Sequence, residues 1–525
     1  MLRAVALVLA AAAPASLGRA ESDILCLKDG RIVTGPKMAR VEGGIELQYK
    51  SGTILVPQDL IEDAVLADDL KVEPKTDEEK EKTAQGFVRF EKRWVTPKQR
   101  DEMVQKKVLE HRKELEERKE HGEWRSRYQE DGKYFHFEYT VPQRLFLPYR
   151  DAMEAYFAEF AKTWKVQQPK GGFKLPVCFY ADEKSFLQIG GMPKGVLGYF
   201  DPGKKDLNIF YERLDPDLTT EVMFHEANHY LQSLVEPRFW VPHFPGESLA
   251  EYYGACRWDP EKKKLTVGLL QEHRLCQIET DVAGGEPMDL VRLVSTADLF
   301  EHYTWGWALV HFLMSDARYA PKFQKFFFAL PEAKGVQRTD AAYGMYSIAQ
   351  EDVFKIFQRE LGLKDANAVR KLDAEWHDYV QSKLKLVSRS GYEKAGLEAK
   401  REDRKLRATR LLSTAIQKGS KNPLVFRALA DLQAEDGKTS EAIDTYKLAL
   451  AADPLDAEVY ARLAFQVRPK DEKEAARLRG LALELGADDP WVHLDLEEEE
   501  SGSGEPGKKP KPGEQPGVPG QQPPR

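Results

Sequence analysis

Apolar and polar positions near the start of the chain alternate over short stretches that are separated by turn residues. The segments Ile24–Leu27, Gly44–Leu47 and Thr53–Val56 are apolar-rich, and Asp-Gly, Gly-Gly and Ser-Gly pairs lie between such segments. Short alternating runs bounded by these pairs are typical of β-strands. We therefore expect a small all-β barrel or meander over residues 21–70.

Residues 71–133 are dominated by charge. Side chains of both signs recur at helical spacing from Asp101 to Trp124, with few apolar positions between them. Such a segment is usually a solvated helix and not a binding site. We interpret it as a charged helical connector.

The pattern changes again at residue 134. Phe135–Thr140 and Leu207–Tyr211 have strand character, whereas Leu218–Val235 and most later segments place apolar residues at helical spacing. Strands followed mainly by helices are typical of the α+β class. The sequence thus predicts an α+β domain over residues 134–388.

Residues 396–494 are helical in pattern and repetitive. The pair Leu429-Ala430 recurs 34 residues later as Leu463-Ala464, with Gly437, Ala442, Tyr446, Ala449-Leu450 and Asp453-Pro454 between them. The spacing resembles the tetratricopeptide repeat, which implies one helical pair per unit and a surface for a protein partner. An unrelated helical bundle is the alternative. Residues 495–525 are rich in Glu, Gly, Pro and Lys and are predicted to be disordered.

The first twenty residues have the pattern of a signal peptide. Arg3 precedes a small and apolar run, Ala4–Leu17, and Gly18-Arg19-Ala20 has the spacing of a cleavage site. Such a run is too short to span a bilayer, and no later apolar run is long enough, so we expect no membrane span. We expect cleavage after Ala20 and a secreted or periplasmic protein.

Composition narrows the function classes further. The 525 residues include 78 Lys and Arg against 86 Asp and Glu, a net charge of −8, which argues against binding to nucleic acid. The four cysteines are too few for a disulfide scaffold. Cys256 and Cys276 could pair in an oxidising compartment, but the sequence does not fix the connectivity.

One motif has a definite chemical meaning. His225-Glu226-Ala227-Asn228-His229 places two imidazoles four residues apart, hence on one face of a helix where both can reach one ion. Glu226 lies between them and can take a proton from water at the metal. A buried, hydrogen-bonded histidine pair is the alternative. The motif predicts one Zn²⁺ per chain.

A zinc site of this kind needs a third protein ligand. The metzincin continuation would require Gly at position 232 and His at 235, where the chain has Gln232 and Val235, so that subclass is excluded. Downstream, Glu247 lies 18 residues after His229 within the segment Pro245–Tyr253. His243 is a competing candidate.

The segment Glu247-Ser248-Leu249-Ala250-Glu251-Tyr252 resembles the second zinc helix of gluzincin metallopeptidases, here of a bacterial family of secreted predicted peptidases. The resemblance covers roughly residues 134–385. It implies that Glu247 is the third ligand. It also implies that Glu251 orients a ligand histidine by accepting a hydrogen bond, as outer-shell carboxylates do. An exposed helix carboxylate is the alternative for Glu251.

The segment Tyr303-Thr304-Trp305-Gly306 resembles the Tyr-x-x-Gly segment of aminopeptidase N-like gluzincins. The resemblance implies that the Tyr303 hydroxyl stabilises the tetrahedral intermediate, a contribution that can amount to a few kcal/mol. The adjacent His302 is an alternative donor, and a core aromatic is the alternative role for Tyr303.

The chain also departs from that family. The nearest string to the amine-gripping Gly-x-Met-Glu-Asn segment is Gly190-Gly191-Met192-Pro193-Lys194, which lacks the Glu. This favours an endopeptidase over an aminopeptidase. In gluzincins an edge strand before the zinc helix pairs with the substrate. The segment in that place here is Leu207, Asn208, Ile209, Phe210 and Tyr211.

These observations predict a secreted zinc-dependent peptidase that acts on a peptide or protein substrate through metal-activated water. Glu226 is the predicted base and Tyr303 the predicted stabiliser of the oxyanion. The alternative is a non-catalytic binding or scaffold protein that uses its helical repeats and retains a relic or structural zinc domain. A zinc hydrolase acting on a non-peptide bond is a third hypothesis.

Overall fold

The computed structural model describes residues 23–66, 74, 76–90, 93–192, 195–385 and 388–488. The predicted signal peptide, residues 1–20, and the predicted disordered tail, residues 495–525, lie outside the described residues. The chain divides into two compact units. The first comprises residues 1–49 and 53–454, and the second comprises residues 50–52 and 455–525.

Residues 23–66 form six strands: β1 (Ile24–Leu27), β2 (Ile32–Thr34), β3 (Lys37–Val41), β4 (Gly44–Tyr49), β5 (Gly52–Pro57) and β6 (Ile61–Val65). They form two separate three-stranded sheets with orders β2-β1-β6 and β3-β4-β5. The region is therefore a pair of small sheets and not one closed barrel.

The charged segment that follows is largely helical, with α1 (Asp77–Ala84), β7 (Val88–Phe90), β8 (Arg93–Val95) and α2 (Pro97–His121). Thr96 caps α2 through a capping box with Gln99, and Pro97 occupies the first helical position. Val108 is the one fully buried residue of α2 and packs against Ile24 of the first sheet. The rest of the helix is at least partly solvated, as its charge pattern predicts.

A mixed five-stranded sheet forms the centre of the first unit. Its strands are β9 (Tyr128–Asp131), β10 (Phe135–Tyr139), β11 (Leu175–Tyr180), β12 (Gly198–Asp201) and β13 (Asp206–Phe210). Their order is β12-β13-β11-β10-β9. The three central strands are parallel to one another, and the two outer strands are antiparallel to their neighbours.

Helices pack on this sheet and continue from it: α3 (Gln143–Trp164), α4 (Glu183–Gly190), α5 (Pro216–Ser233), α6 (His243–Gly254), α7 (Glu272–Ala283), α8 (Leu290–Ser295), α9 (Leu299–Glu301), α10 (Trp307–Ser315), α11 (Ala320–Ala329), α12 (Gln350–Leu361) and α13 (Ala366–Lys383). A π-helical turn, His302–Gly306, joins α9 to α10. Two small hairpins lie among them, β14 (Arg257–Asp259) with β15 (Lys264–Thr266) and β16 (Arg338–Asp340) with β17 (Tyr346–Ile348). Strands first and helices later confirm the α+β class.

The first unit ends in a region of paired helices: α14 (Arg389–Arg401), α15 (Lys405–Gln417), α16 (Pro423–Glu435) and α17 (Thr439–Ala452). Successive helices pack against each other, and α14 also packs on α7. Within α16 and α17 the repeat positions Leu429, Ala442 and Tyr446 are buried, and Gly437 takes a positive φ of 73° in the turn between the helices. The C-terminal helical repeat predicted from the sequence is therefore present.

The second unit, described to residue 488, contains α18 (Ala457–Val467) and α19 (Glu472–Glu484), which pack against each other. The repeat residues Leu463 and Ala464 are buried within this pair. The backbone N–H groups of Lys50 and Ser51 donate to Glu484 at 2.9 and 2.8 Å, so the short segment 50–52 joins this unit.

All four cysteines are free and buried, so the structure contains no Cys256–Cys276 pair. Among the described helices, none is both long enough and apolar enough to cross a bilayer.

Candidate metal centre

Helix α5 positions the two histidines of the motif. The Asp215 side chain caps the helix by accepting from the Leu218 N–H, and Pro216 begins it. Met223, Phe224, Ala227, Asn228 and Leu231 are buried on the face that packs into the core. His225 and His229 lie on an adjacent face and are only partly buried.

Helix α6 brings a carboxylate to these rings. Glu247 Oε2 lies 3.4 Å from His225 Nε2 and 3.4 Å from His229 Nε2. The ring centroids of the two histidines are 5.1 Å apart. The structure thus gathers the three residues that the sequence predicts as metal ligands, from two helices that pack against each other.

The donor set fits a zinc ion. Glu247 Oε2 is buried and accepts no hydrogen bond, and its two neighbouring histidine nitrogens lie 3.4 Å away. Two ligand atoms that share a tetrahedral zinc at about 2.0–2.1 Å lie about 3.4 Å from each other. The ligand atoms of His225, His229 and Glu247 all lie within 4.8 Å of one another, and no other such group of three occurs among the described residues.

Glu251 contacts the His225 ring at Nδ1, the nitrogen that does not face Glu247. Its Oε1 lies 3.3 Å from His225 Nδ1. Arg274 of α7 clamps the same carboxylate with two hydrogen bonds, from Nη2 to Oε1 at 2.8 Å and from Nε to Oε2 at 3.0 Å. The orienting role of Glu251 stays a prediction, and its carboxylate lies within reach of the His225 Nδ1 atom.

A buried polar chain fixes the two ligand helices to each other. The Gln232 amide donates to Asn228 Oδ1 at 2.6 Å and to the Gly246 carbonyl at 2.8 Å, directly before Glu247. The Asn228 amide donates in turn to the Tyr156 hydroxyl on α3 at 2.5 Å. Gln232 therefore has a structural role at the position where metzincins require glycine.

Glu226 faces the edge of the central sheet. The Phe200 N–H on β12 donates to Glu226 Oε2 at 3.2 Å. A Cβ on Gly198 would lie 2.4 Å from Val222 Cγ1 and 3.1 Å from Glu226 Cγ, so only glycine permits this close approach of strand and helix. The predicted base therefore lies beside β12.

The prediction that residues 207–211 form the edge strand that pairs with the substrate is wrong. Leu207, Asn208, Ile209 and Phe210 belong to β13, which pairs with β11 on one side and β12 on the other, and Tyr211 follows it. Its backbone groups are engaged by both neighbours, so β13 cannot add a further strand. The outer strand next to β13 is β12, and among the described residues no strand pairs with its other side.

Tyr303 lies on the π-helical turn beside the histidines, with its ring centroid 5.9 Å from that of His225. The guanidinium of Arg274 lies 5.2 Å from the Tyr303 centroid. Burial and the charges of Glu247 and Glu251 raise the pKa of Tyr303 well above its usual value, so the hydroxyl remains a proton donor at neutral pH.

The two alternative histidines are engaged elsewhere. His302 Nε2 pairs with the Thr296 carbonyl at 3.0 Å, and burial lowers the pKa of His302 to about 4. His243 Nδ1 pairs with the Ala297 carbonyl at 3.1 Å. Neither belongs to the group of close ligand atoms.

The electrostatics of the centre favour positive charge between the carboxylates. Burial opposes ionisation of His225, but its contacts with Glu247 and Glu251 outweigh burial and raise the pKa of His225 well above its usual value. Burial likewise opposes ionisation of Glu251, yet Arg274 and His225 lower the pKa of Glu251 to about 2.

A cavity of about 380 Å³ opens beside the centre, lined by His225, Glu226 and Tyr303. Lys394 and Glu398 of α14, the first helix of the C-terminal region, also line it. These two residues, like Arg274, carry no local sequence signal, because the contacts they make are distant along the chain.

Comparison with known proteins identifies no family. No protein-family model matches the chain, and no curated protein matches it. Among solved structures, the MamA RS-1 ArsTM double mutant is similar at 12% identity over 41% of this chain and 93% of its own, with a TM-score of 0.19. MamA AMB-1 in the crystal form P212121 is similar at 18% identity over 36% and 96%, with a TM-score of 0.19. Likeness at this level has no bearing on function.

Proposed function

We propose that the protein is a zinc-dependent peptidase whose centre is held by His225, His229 and Glu247. The observation that carries the proposal is the buried Glu247 Oε2, which lacks a hydrogen-bond donor and lies 3.4 Å from the Nε2 atoms of both histidines. A buried carboxylate oxygen that accepts no hydrogen bond is costly. A cation shared with the two imidazoles removes that cost.

The residues around the centre supply the groups that hydrolysis needs. Zinc bound here would polarise the substrate carbonyl and lower the pKa of the attacking water to about 7. Glu226 accepts the proton from that water and passes it to the amine nitrogen that leaves. The Tyr303 hydroxyl donates a hydrogen bond to the carbonyl oxygen as negative charge develops there.

The edge strand β12 gives the substrate a place to bind. A peptide that lies along its outer side would pair through backbone hydrogen bonds, which contribute affinity with little side-chain selectivity. Glu226 is fixed to the same strand through Phe200, so a peptide on β12 passes beside the base. This arrangement and the lack of the amine-gripping Glu favour an endopeptidase.

A structural zinc domain that supports a binding protein is the second candidate, and the C-terminal helical pairs favour it. Structural zinc sites are closed by four protein ligands, whereas catalytic sites have three and an open position. Only three ligand atoms gather here among the described residues. The ligand number therefore supports the catalytic assignment.

Glu226→Gln tests the proposal, because the amide cannot accept the proton yet has nearly the same shape. Zinc-loaded wild type and variant are compared on fluorescent casein and on a library of N-acetylated peptides, which an aminopeptidase cannot use. Glu236→Gln, which changes a carboxylate near the end of the same helix, is the control. We expect Glu226→Gln to bind zinc normally and to lose at least about 10²-fold in rate, and Glu236→Gln to remain active. Full activity of Glu226→Gln, or no cleavage by zinc-loaded wild type, would overturn the proposal.

A further inference from the structure

Arg274 contacts three groups around the candidate centre. Its guanidinium clamps Glu251 with two hydrogen bonds, lies over the ring of Tyr303, and donates to Glu398 of α14. Only 13% of its side chain is exposed, against 5% for Glu251 and 26% for Glu398. One cation thus connects two carboxylates from different helices with an aromatic ring of the candidate centre.

A second ion pair joins α14 to the ligand helix itself. Lys394 Nζ donates to Glu221 Oε2 at 2.6 Å, and His273 Nε2 lies 3.4 Å from Glu221 Oε1. Glu221 precedes His225 by one helical turn on α5. Helix α14 therefore contacts the helix that carries both histidines and, through Arg274, the carboxylate that orients one of them.

We propose that α14 is part of the metal centre and that Arg274, anchored by Glu398, is a positioning residue for Glu251 and thereby for His225. The inference rests on the proposed zinc site. It assigns to the first C-terminal helix a role within the centre, beyond the predicted domain end at residue 388.

The physical reason lies in geometry and in charge balance. Glu251 can hold His225 Nδ1 only while its own carboxylate is fixed, and a bidentate guanidinium fixes both of its oxygens in one plane. Glu398 restrains the same guanidinium by accepting from its third nitrogen, Nη1. Residues that orient a metal ligand from outside the coordination sphere typically change metal affinity by about 10–100-fold when they are replaced.

Charge-conserving variants separate positioning from long-range electrostatics. Arg274→Lys retains the cation but cannot form the planar two-bond clamp. Glu398→Asp retains the anion but shortens its reach by one methylene. The matched control is Glu402→Asp, because Glu402 lines the same cavity but pairs with Arg404 at 3.2 Å and not with Arg274.

The test measures the zinc Kd of the full mature chain by competition with a chromophoric chelator, and the absorption spectrum of the cobalt-substituted protein. The Tm of the metal-free protein reports the fold. We expect Arg274→Lys to weaken zinc binding about 10–100-fold and Glu398→Asp about tenfold, both with a changed cobalt spectrum. Glu402→Asp should match wild type.

The outcomes separate this inference from the proposed function. If wild type binds zinc and both variants bind it within twofold of wild type, the positioning role is wrong while the zinc site stands. If wild type binds no zinc, the proposed function itself fails. Should Arg274→Lys not fold, Glu398→Asp decides the question alone, because its change is smaller and lies farther from the ligands.

Discussion

The close packing of the Tyr303 segment on the Glu247 helix can be tested by adding one methyl group. Gly306 ends the π-helical turn, and a Cβ there would lie 2.0 Å from Ser248 Oγ and 3.1 Å from Ser248 Cβ. Ser248 is fully buried, so its hydroxyl has little space to move. Inserting a methyl group into such a core costs about 1–3 kcal/mol. The first unit, residues 1–49 and 53–454, has an unfolding entropy of about 1 kcal/mol/K, so we expect Gly306→Ala to lower the Tm of the metal-free protein by about 1–3 °C.

Ser248→Ala relieves most of this overlap, because only the 3.1 Å contact would remain. Alone it removes the hydrogen bond from Ser248 to the His302 carbonyl at 3.2 Å, a loss of about 1 kcal/mol. The double variant should therefore lose less unfolding free energy than the two single variants lose together. The difference, which is the coupling energy, should be about 1–2 kcal/mol.

Thermal unfolding of wild type, both single variants and the double variant gives this coupling. Gly190→Ala is the control, because the nearest atom to a Cβ at this helical glycine lies 3.9 Å away. It should be neutral or slightly stabilising. An unchanged Tm for Gly306→Ala together with additive effects in the double variant would refute the described packing of Gly306 on Ser248.

Two further variants extend the account. Tyr303→Phe removes the proposed oxyanion donor and should lower kcat by about 10²-fold in steady-state kinetics. Its zinc content, measured by elemental analysis, should be unchanged. An unchanged kcat would exclude this role for Tyr303. His111 lies 3.2 Å from Asp63, and that hydrogen bond, with a smaller contribution from Cys26, raises the pKa of His111 to about 10. Stability from the pair is therefore complete below pH 6.5 and is lost as the pH rises through 10. His111→Gln should cost about 1 kcal/mol at pH 6 and nearly nothing at pH 10.5 in thermal unfolding, and an equal cost at both values would contradict the pairing.

Local sequence predicted most of the elements that carry the candidate centre. The predicted helix Leu218–Val235 is close to α5, and the predicted strand Phe135–Thr140 is close to β10. Periodicity and capping residues act over a few positions, so a single segment contains what is needed to predict its own helix or strand. The i and i+4 spacing of the histidines is local in the same sense, since any helix places them on one face.

Contacts between distant segments could not be predicted in this way. The pairing order of the sheet decides that β12 and not β13 forms the edge, and apolar content alone does not distinguish a central strand from its neighbour. Arg274 and Glu398 meet only because α7 and α14 pack against each other. The sequence pattern does not predict β3, because Lys37 and Arg40 interrupt its apolar residues.

Metal analysis of residues 21–525 decides whether His225, His229 and Glu247 hold zinc. The protein, purified without chelators or a histidine tag, is dialysed against zinc and analysed for metal. We expect about one zinc per chain in wild type and in His243→Ala, which removes the competing ligand candidate, and almost none in a variant that lacks both His225 and His229. No zinc in wild type after incubation with excess metal, or one zinc retained without the two histidines, would contradict the account.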